Sequence, residues 1–172
     1  PNARGVGMRF CLVDKIECIE PGRRIVGSKS LSLAEEYLAD HFPAFPVLPG
    51  VLMVEAMVQA GAWLVRLTQD FAHSVVVLRE LRGVKYGQFV RPGDRLQVTV
   101  EMKEMADGRA RLSGRGRVDG QQVVSGKFEL EYFNVADGDP SLVTTDEQLV
   151  RHLRAQYRHV NACGFEPSGA SV

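Results

Sequence analysis

Apolar positions along this chain change their period twice, and the changes mark its elements. From Gly50 to about Leu67 the apolar residues cover nearly the whole circumference of a helix, with Pro49 just ahead of it, so the spacing predicts a helix buried on most sides. From Leu96 to Met102 the period drops to two: Leu96, Val98, Val100 and Met102 alternate with Gln97, Thr99 and Glu101. The alternation resumes after Asp107-Gly108, where Ala110, Leu112, Gly114, Gly116 and Val118 interleave with Arg109, Arg111, Ser113, Arg115 and Arg117. Asp119-Gly120 is a hairpin signal, and a return strand is expected from Val123 to about Phe133. A three-residue loop at 119–121 would set Arg109 opposite Glu131 and Arg111 opposite Glu129, a cross-strand ion-pair ladder on a solvated face.

Further strands are expected over 24–33, after the Pro21-Gly22 turn, and over 74–81. Residues 1–7 read as a loose arm, and 9–19 as a short element packed on the body. One long buried helix with a run of antiparallel strands is an α+β layout, the helix lying against a curved sheet. Beyond it, 134–144 is a polar linker. Thr145 opens a second helix to about Val160, with Gln148 at capping-box spacing and Leu149, Leu153 and Tyr157 as its apolar stripe. Residues 161–172 are expected to be disordered.

Composition narrows the function classes. The 172 residues carry 21 Lys+Arg and 21 Asp+Glu, so no global field points to nucleic acid or a membrane surface. Cys11, Cys18 and Cys163 form neither a CxxC pair nor an even framework, which suits free thiols in the cytoplasm. The run from Phe42 to Val65 is not expected to span a membrane: Pro43, Pro46 and Pro49 punctuate its start, and Glu55 and Gln59 interrupt the rest. No ligand spacing for a metal and no cofactor motif is present.

That apolar run holds the candidate chemistry. Between His41 and Arg66 the only ionisable side chain is Glu55, and desolvation there would favour its neutral form. The ordinary alternative is a buried glutamate paired with Arg79, Arg82 or Arg91. Gln59, one turn on, can hydrogen-bond the carboxyl. His41 supplies a base near neutral pH, and the helix start at Gly50 offers a main-chain N–H without an intrahelical partner. A base, an acid and an N–H donor in one segment form a reaction-shaped set.

The run His41-Phe42-Pro43-x-x-Pro46-x-x-Pro49-Gly50-Val51-Leu52-x-x-Glu55-Ala56-x-x-Gln59 resembles the signature of bacterial 3-hydroxyacyl-[acyl-carrier-protein] dehydratases of the hotdog fold. Leu12 to Ile16, Glu20 to Val26, Val84 to Tyr86, Val90 to Leu96 and Val118 to Gly120 agree with that family's flanking segments, so the resemblance covers about 9–133. It implies one hotdog domain with an added helix over about 145–160. It also implies that His41 removes the C2 proton, that Glu55 protonates the departing C3 hydroxyl, and that the Gly50 N–H polarises the thioester carbonyl. Phe42, Val47, Leu48, Val51, Val54, Gln59 and Tyr86 would line the acyl tunnel. No cofactor is implied. The implied partners are the acyl carrier protein and a second copy, with His41 and Glu55 of different subunits sharing a site in a homodimer, and a trimer of dimers as the larger assembly.

The family's acid is Glu in simple dehydratases and Asp in dehydratase/isomerases, so Glu55 favours dehydration without isomerisation. Asp40 stands where the family has Gly, Ala44 where Gly is common, and Gly87-Gln88-Phe89 where a basic, Pro-containing stretch is typical. Other hotdog thioester enzymes (thioesterase or coenzyme A hydratase) and a non-catalytic acyl-binding subunit are the alternatives. The Asp-x-Asn-x-x-x-x-His pattern of the other hotdog hydratases is absent. The arginines of the last helix suggest a carrier-protein dock, against plain packing of that helix on the body.

Overall fold

The structure, a computed structural model, describes residues 11–167. Its strands are β1 Lys15–Glu20, β2 Arg24–Ser30, β3 Val75–Tyr86, β4 Arg95–Ala106, β5 Arg109–Val118 and β6 Gln121–Phe133; its helices are α1 Gly50–Thr68 and α2 Val143–Val160. The strands form one antiparallel sheet in the order β1-β2-β4-β5-β6-β3. The period-two reading holds where it was sharpest: Leu96, Val98 and Val100 of β4 and Ala110 and Leu112 of β5 are buried against α1, which packs across the inner face.

Glycines let the helix sit close. A Cβ at Gly114 would lie 2.9 Å from Met57 Sδ, and one at Gly61 would lie 2.8 Å from Phe128 Cε2. The helix therefore rests directly on the sheet there, with no room for a ligand between them. By length and hydropathy α1 could cross a membrane, but it is mostly buried inside the chain, as expected of a core helix.

The β5–β6 hairpin reaches the expected register by another route. Arg109 faces Glu131 and Arg111 faces Glu129, yet the loop has two residues, Asp119 and Gly120, both at positive φ (48° and 80°). A bulge at Gly116/Arg117 supplies the missing residue. The ion pairs do not follow the expected ladder. Arg111 pairs with Glu104 of β4 at 2.5 Å and Arg115 with Glu101 at 2.7 Å, while Arg109 reaches diagonally to Glu129 at 4.0 Å. Long guanidinium side chains reach whichever carboxylate shares their face.

The C-terminal region departs most from expectation. Residues 134–144 are shaped rather than a slack linker, with short 3-10 turns at Val135–Asp137 and Pro140–Leu142. Helix α2 begins at Val143 without a side-chain cap, so the Thr145/Gln148 capping box is not what starts it. Instead the buried Asp146 carboxylate accepts the Ser74 hydroxyl and the N–H groups of Val135 and Ala136, the latter two each at 2.9 Å. Of the expected stripe, Tyr157 is buried and Leu153 half-buried, whereas Leu149 is exposed. Tyr157 joins Trp63 and Phe71, with centroids 5.9 and 6.2 Å away. Arg154 lies over Phe71 at 4.6 Å and donates to the Asp70 carbonyl at 2.8 Å, so this arginine is engaged in holding α2 down.

The disorder expected from 161 is not found through 167. Ala162 N–H donates to Ile16 O at 3.0 Å, Asn161 bridges β1, and Phe165 O accepts from the Tyr157 hydroxyl at 2.7 Å. These main-chain groups find partners along an otherwise unpaired sheet edge. Residues 168–172 and the arm at 1–7 lie outside the described residues. With β1 partly covered, β3 is the long open edge among the described residues, and it exposes Val77, Leu78 and Leu81.

Asp146 gives α2 a pH dependence. The Ser74 hydrogen bond, then those of Ala136 and Val135, hold its carboxyl below the ordinary value against the opposing effect of burial. Its contribution is present above the unfolded-state pKa of about 3.9 and is lost as pH falls through the lower folded-state value. Trp63 is the only tryptophan and touches Tyr157, so its emission reports docking. Trp63 emission of the parent chain is expected to change in acid, and Asp146→Ala is expected to show the same change at pH 7. Unaltered emission would mean that the aromatic cluster holds α2 unaided.

Candidate active site

The segment carrying His41 is braced by main-chain bonds. Phe42 and Phe45 exchange N–H···O bonds of 3.2 and 2.9 Å, Val47 N–H donates to His41 O at 3.0 Å, and Leu48 N–H donates to Val90 O at 2.8 Å. Pro43, Pro46 and Pro49 interrupt this network where no donor is needed. His41 stacks on Phe42 with centroids 4.3 Å apart, and its Nδ1 lies 3.2 Å from Val47 O. A carbonyl only accepts, so Nδ1 carries the proton and Nε2 keeps a free lone pair. Asp40 is exposed and makes no hydrogen bond or ion pair among the described residues.

Helix α1 starts at Gly50 as its sequence predicts. Pro49 O takes the N–H groups of Leu52 and Met53, at 2.9 and 3.2 Å, while the Gly50 N–H has no acceptor among the described residues. The Tyr86 ring covers this end so closely that a Cβ at position 50 would lie 2.8 Å from Tyr86 Cε1. Glycine is required by that approach, and its N–H sits at the positive end of the helix dipole.

Glu55 lies about 7–8 Å further along the axis and is half-buried. Its Oε1 accepts from Gln59 Nε2 at 3.0 Å, and Gln59 Oε1 accepts from the Leu12 N–H at 2.9 Å. The ordinary ion-pair explanation for Glu55 does not apply. Arg79 is drawn to Glu129 and Glu131, Arg82 to Glu80, and Arg91 lies over Phe45 at 5.1 Å. Within one chain no hydrogen bond or ion pair joins Glu55 to His41 among the described residues.

The expected tunnel wall divides in two. Val47, Leu48 and Val54 are buried in the chain's own interior, and Gln59 is 8% exposed beneath Leu12, whereas Phe42, Val51 and Tyr86 are 53%, 69% and 54% exposed. Sequence reading missed Phe45 and Phe89, which meet edge-on at 5.8 Å and extend the exposed apolar surface. Their aromatic character was the available signal. Leu12 was missed because its contribution is a main-chain N–H, which no side-chain pattern encodes. The concavities on the outer sheet face, lined by Arg82, Lys103, Arg111 and Lys127, hold none of the candidate residues.

Known proteins share this chain's sequence pattern and fold. The family model of the FabA-like domain matches residues 6–127, which leaves α2 outside the match. The 3-hydroxyacyl-[acyl-carrier-protein] dehydratase FabZ of Roseiflexus castenholzii is 37% identical over 119 residues, covering 69% of this chain and 83% of the relative. Its counterpart in Anaeromyxobacter is 38% identical over 123 residues, covering 69% and 78%. Among solved structures, the dehydratase heterocomplex ApeI:P of Xenorhabdus doucetiae aligns with a TM-score of 0.61 at 16% identity, covering 77% of this chain and 90% of that one, which supports the hotdog fold. On its sequence, its fold and the motif around α1, the chain belongs to the FabA-like family of 3-hydroxyacyl-[acyl-carrier-protein] dehydratases.

Proposed function

We propose that this chain removes water from 3-hydroxyacyl thioesters held on acyl carrier protein, giving trans-2-enoyl thioesters. His41 Nε2 takes the C2 proton while the Gly50 N–H donates to the thioester oxygen, stabilising the charge that develops as C2–H breaks. Glu55 gives its proton to the C3 oxygen. The C3–O bond breaks, C2=C3 forms and water leaves. The imidazolium and carboxylate then return to their starting forms by proton exchange with solvent. The observation that carries this reading is the Val47 carbonyl on His41 Nδ1, which leaves Nε2 as the basic nitrogen in a segment that ends at an uncapped helix start.

A second copy of the chain belongs to the same proposal. Phe42, Val51 and Tyr86 are exposed on one chain, and β3 offers an unpaired edge with Val77, Leu78 and Leu81 beside it. Pairing β3 with its symmetry mate would close both, and would bring the partner's Glu55 to His41. The site needs nothing beyond a dimer, and a trimer of dimers would be built on other surfaces. Residues 9–133 form the catalytic unit, with α2 added to it, and the reaction takes place in the cytoplasm alongside the carrier.

The test is to incubate the purified protein with 3-hydroxyacyl- and trans-2-enoyl-carrier protein and follow interconversion by mass. A loss or gain of one water is expected. Release of free acid would mark a thioesterase, and bound substrate without turnover a non-catalytic subunit.

A further inference from the structure

Gln59, expected in the tunnel wall, is held by hydrogen bonds to Leu12 and Glu55. It is almost wholly buried between two groups that leave its amide one orientation. The Leu12 N–H points at its oxygen from 2.9 Å, so that oxygen must face Leu12 as an acceptor. The amide NH2 is thereby turned toward Glu55, where it donates to Oε1 at 3.0 Å. Reversing the amide would set N–H against N–H at Leu12 and remove that buried N–H's acceptor, which costs about 1–3 kcal/mol. Leu12 itself is 1% exposed and Val13 fully buried, so this stretch is part of the packed interior.

We propose that Gln59 is a positioning residue that transmits the orientation of the Leu12 N–H to the Glu55 carboxyl and so decides which of its oxygens carries the proton. Oε1 receives a hydrogen bond and is therefore the acceptor oxygen. In the neutral acid the proton sits on Oε2, the oxygen left free for the C3 hydroxyl. Without the relay the proton is shared between two oxygens and the carboxyl is free to turn about its last bond. A fraction of the encounters then offers the wrong oxygen. This inference rests on the reading of Glu55 as the acid.

Among the described residues the ionisable groups around the relay are few. Within α1 the only other one is Arg66, nearly two turns past Gln59. The segment beside Leu12 brings Cys11, and Asp14, whose carboxylate is engaged by Lys29 and the Ser30 N–H. The loop before α1 brings Asp40 and His41.

Two substitutions test the proposal in the full-length protein, with kcat, KM and the pH profile of kcat as readouts. Gln59→Met keeps the volume and removes the donor. Gln59→Glu keeps the shape and the acceptor for Leu12 but sets a second carboxyl against Oε1. Both are expected to lower kcat about tenfold or more with KM within about twofold. The alkaline limb of kcat, where the acid loses its proton, should move to higher pH in both. The move should be larger in Gln59→Glu, where two carboxyls share one proton. A raised KM with kcat retained would make Gln59 a tunnel wall and overturn the proposal, as would an unmoved pH limb in variants that melt like the parent. Glu55→Gln is the control. If it turns over normally, Glu55 is not the acid, and both the mechanism and the relay fall. If it is inactive while the Gln59 variants behave like the parent, the relay alone falls.

Discussion

His41→Ala is expected to lower kcat for dehydration of a 3-hydroxyacyl-carrier-protein substrate by about 10²–10⁴-fold, with KM little changed. The imidazole is the basic group in the segment before α1, and its Nε2 lone pair exists because Nδ1 is committed to Val47 O. Alanine removes that base, whereas the groups that would hold the substrate remain, namely the Gly50 N–H and the exposed rings of Phe42 and Tyr86. Loss should therefore appear in turnover rather than in binding. Main-chain bonds hold the loop at Phe42–Phe45 and Leu48–Val90, so the variant should melt close to the parent. Turnover within about tenfold of the parent would show that another group abstracts the C2 proton.

Mixing two inactive variants should restore activity if the site is shared. A homodimer of His41→Ala lacks both bases, and one of Glu55→Gln lacks both acids. A mixed dimer with cross-subunit sites has one site carrying both lesions and one carrying neither. Random exchange makes half of the dimers mixed, each with one working site of two, so about a quarter of parental activity should return. Sites contained in one chain give no recovery at any mixing ratio. The experiment separates these geometries without a structure of the assembly. Size-exclusion chromatography confirms that exchange took place among dimers.

Much of the fold was legible because burial imposes its period on the sequence. The β4 alternation Leu96/Val98/Val100 points inward as written, and α1 runs from Gly50 as the proline and the continuous apolar run require. The β5–β6 register was legible too, but the route to it was not. A two-residue turn with a bulge and a three-residue turn place Arg109 and Glu131 opposite each other equally well. The ends of α2 were less accessible. Its start is governed by Asp146 reaching back to Ser74 and to the N–H groups of residues 135 and 136, a long-range arrangement with no local spacing to betray it. The same is true of 161–167, whose sequence is loop-like but whose main-chain groups find partners on β1 and α2.

At the candidate site the division is similar. His41, Gly50 and Glu55 stood out by residue type, because a histidine, a helix-start glycine and one carboxyl in apolar sequence are conspicuous in one dimension. Apart from Gln59, the wall residues expected from the resemblance were apolar or aromatic. Apolarity does not distinguish Val54, which is buried, from Val51, which lies one turn earlier at the open end of α1 and is exposed.

By itself, the sequence determined the fold class, the main elements and the candidate reactive groups, since these depend on local period and residue type. The tertiary structure alone decided which nitrogen of His41 is free, which way the Gln59 amide points, and which apolar side chains are left exposed. Those depend on main-chain carbonyls and N–H groups brought together from distant positions. Every residue but proline carries both groups, so their pairing leaves no mark on the sequence.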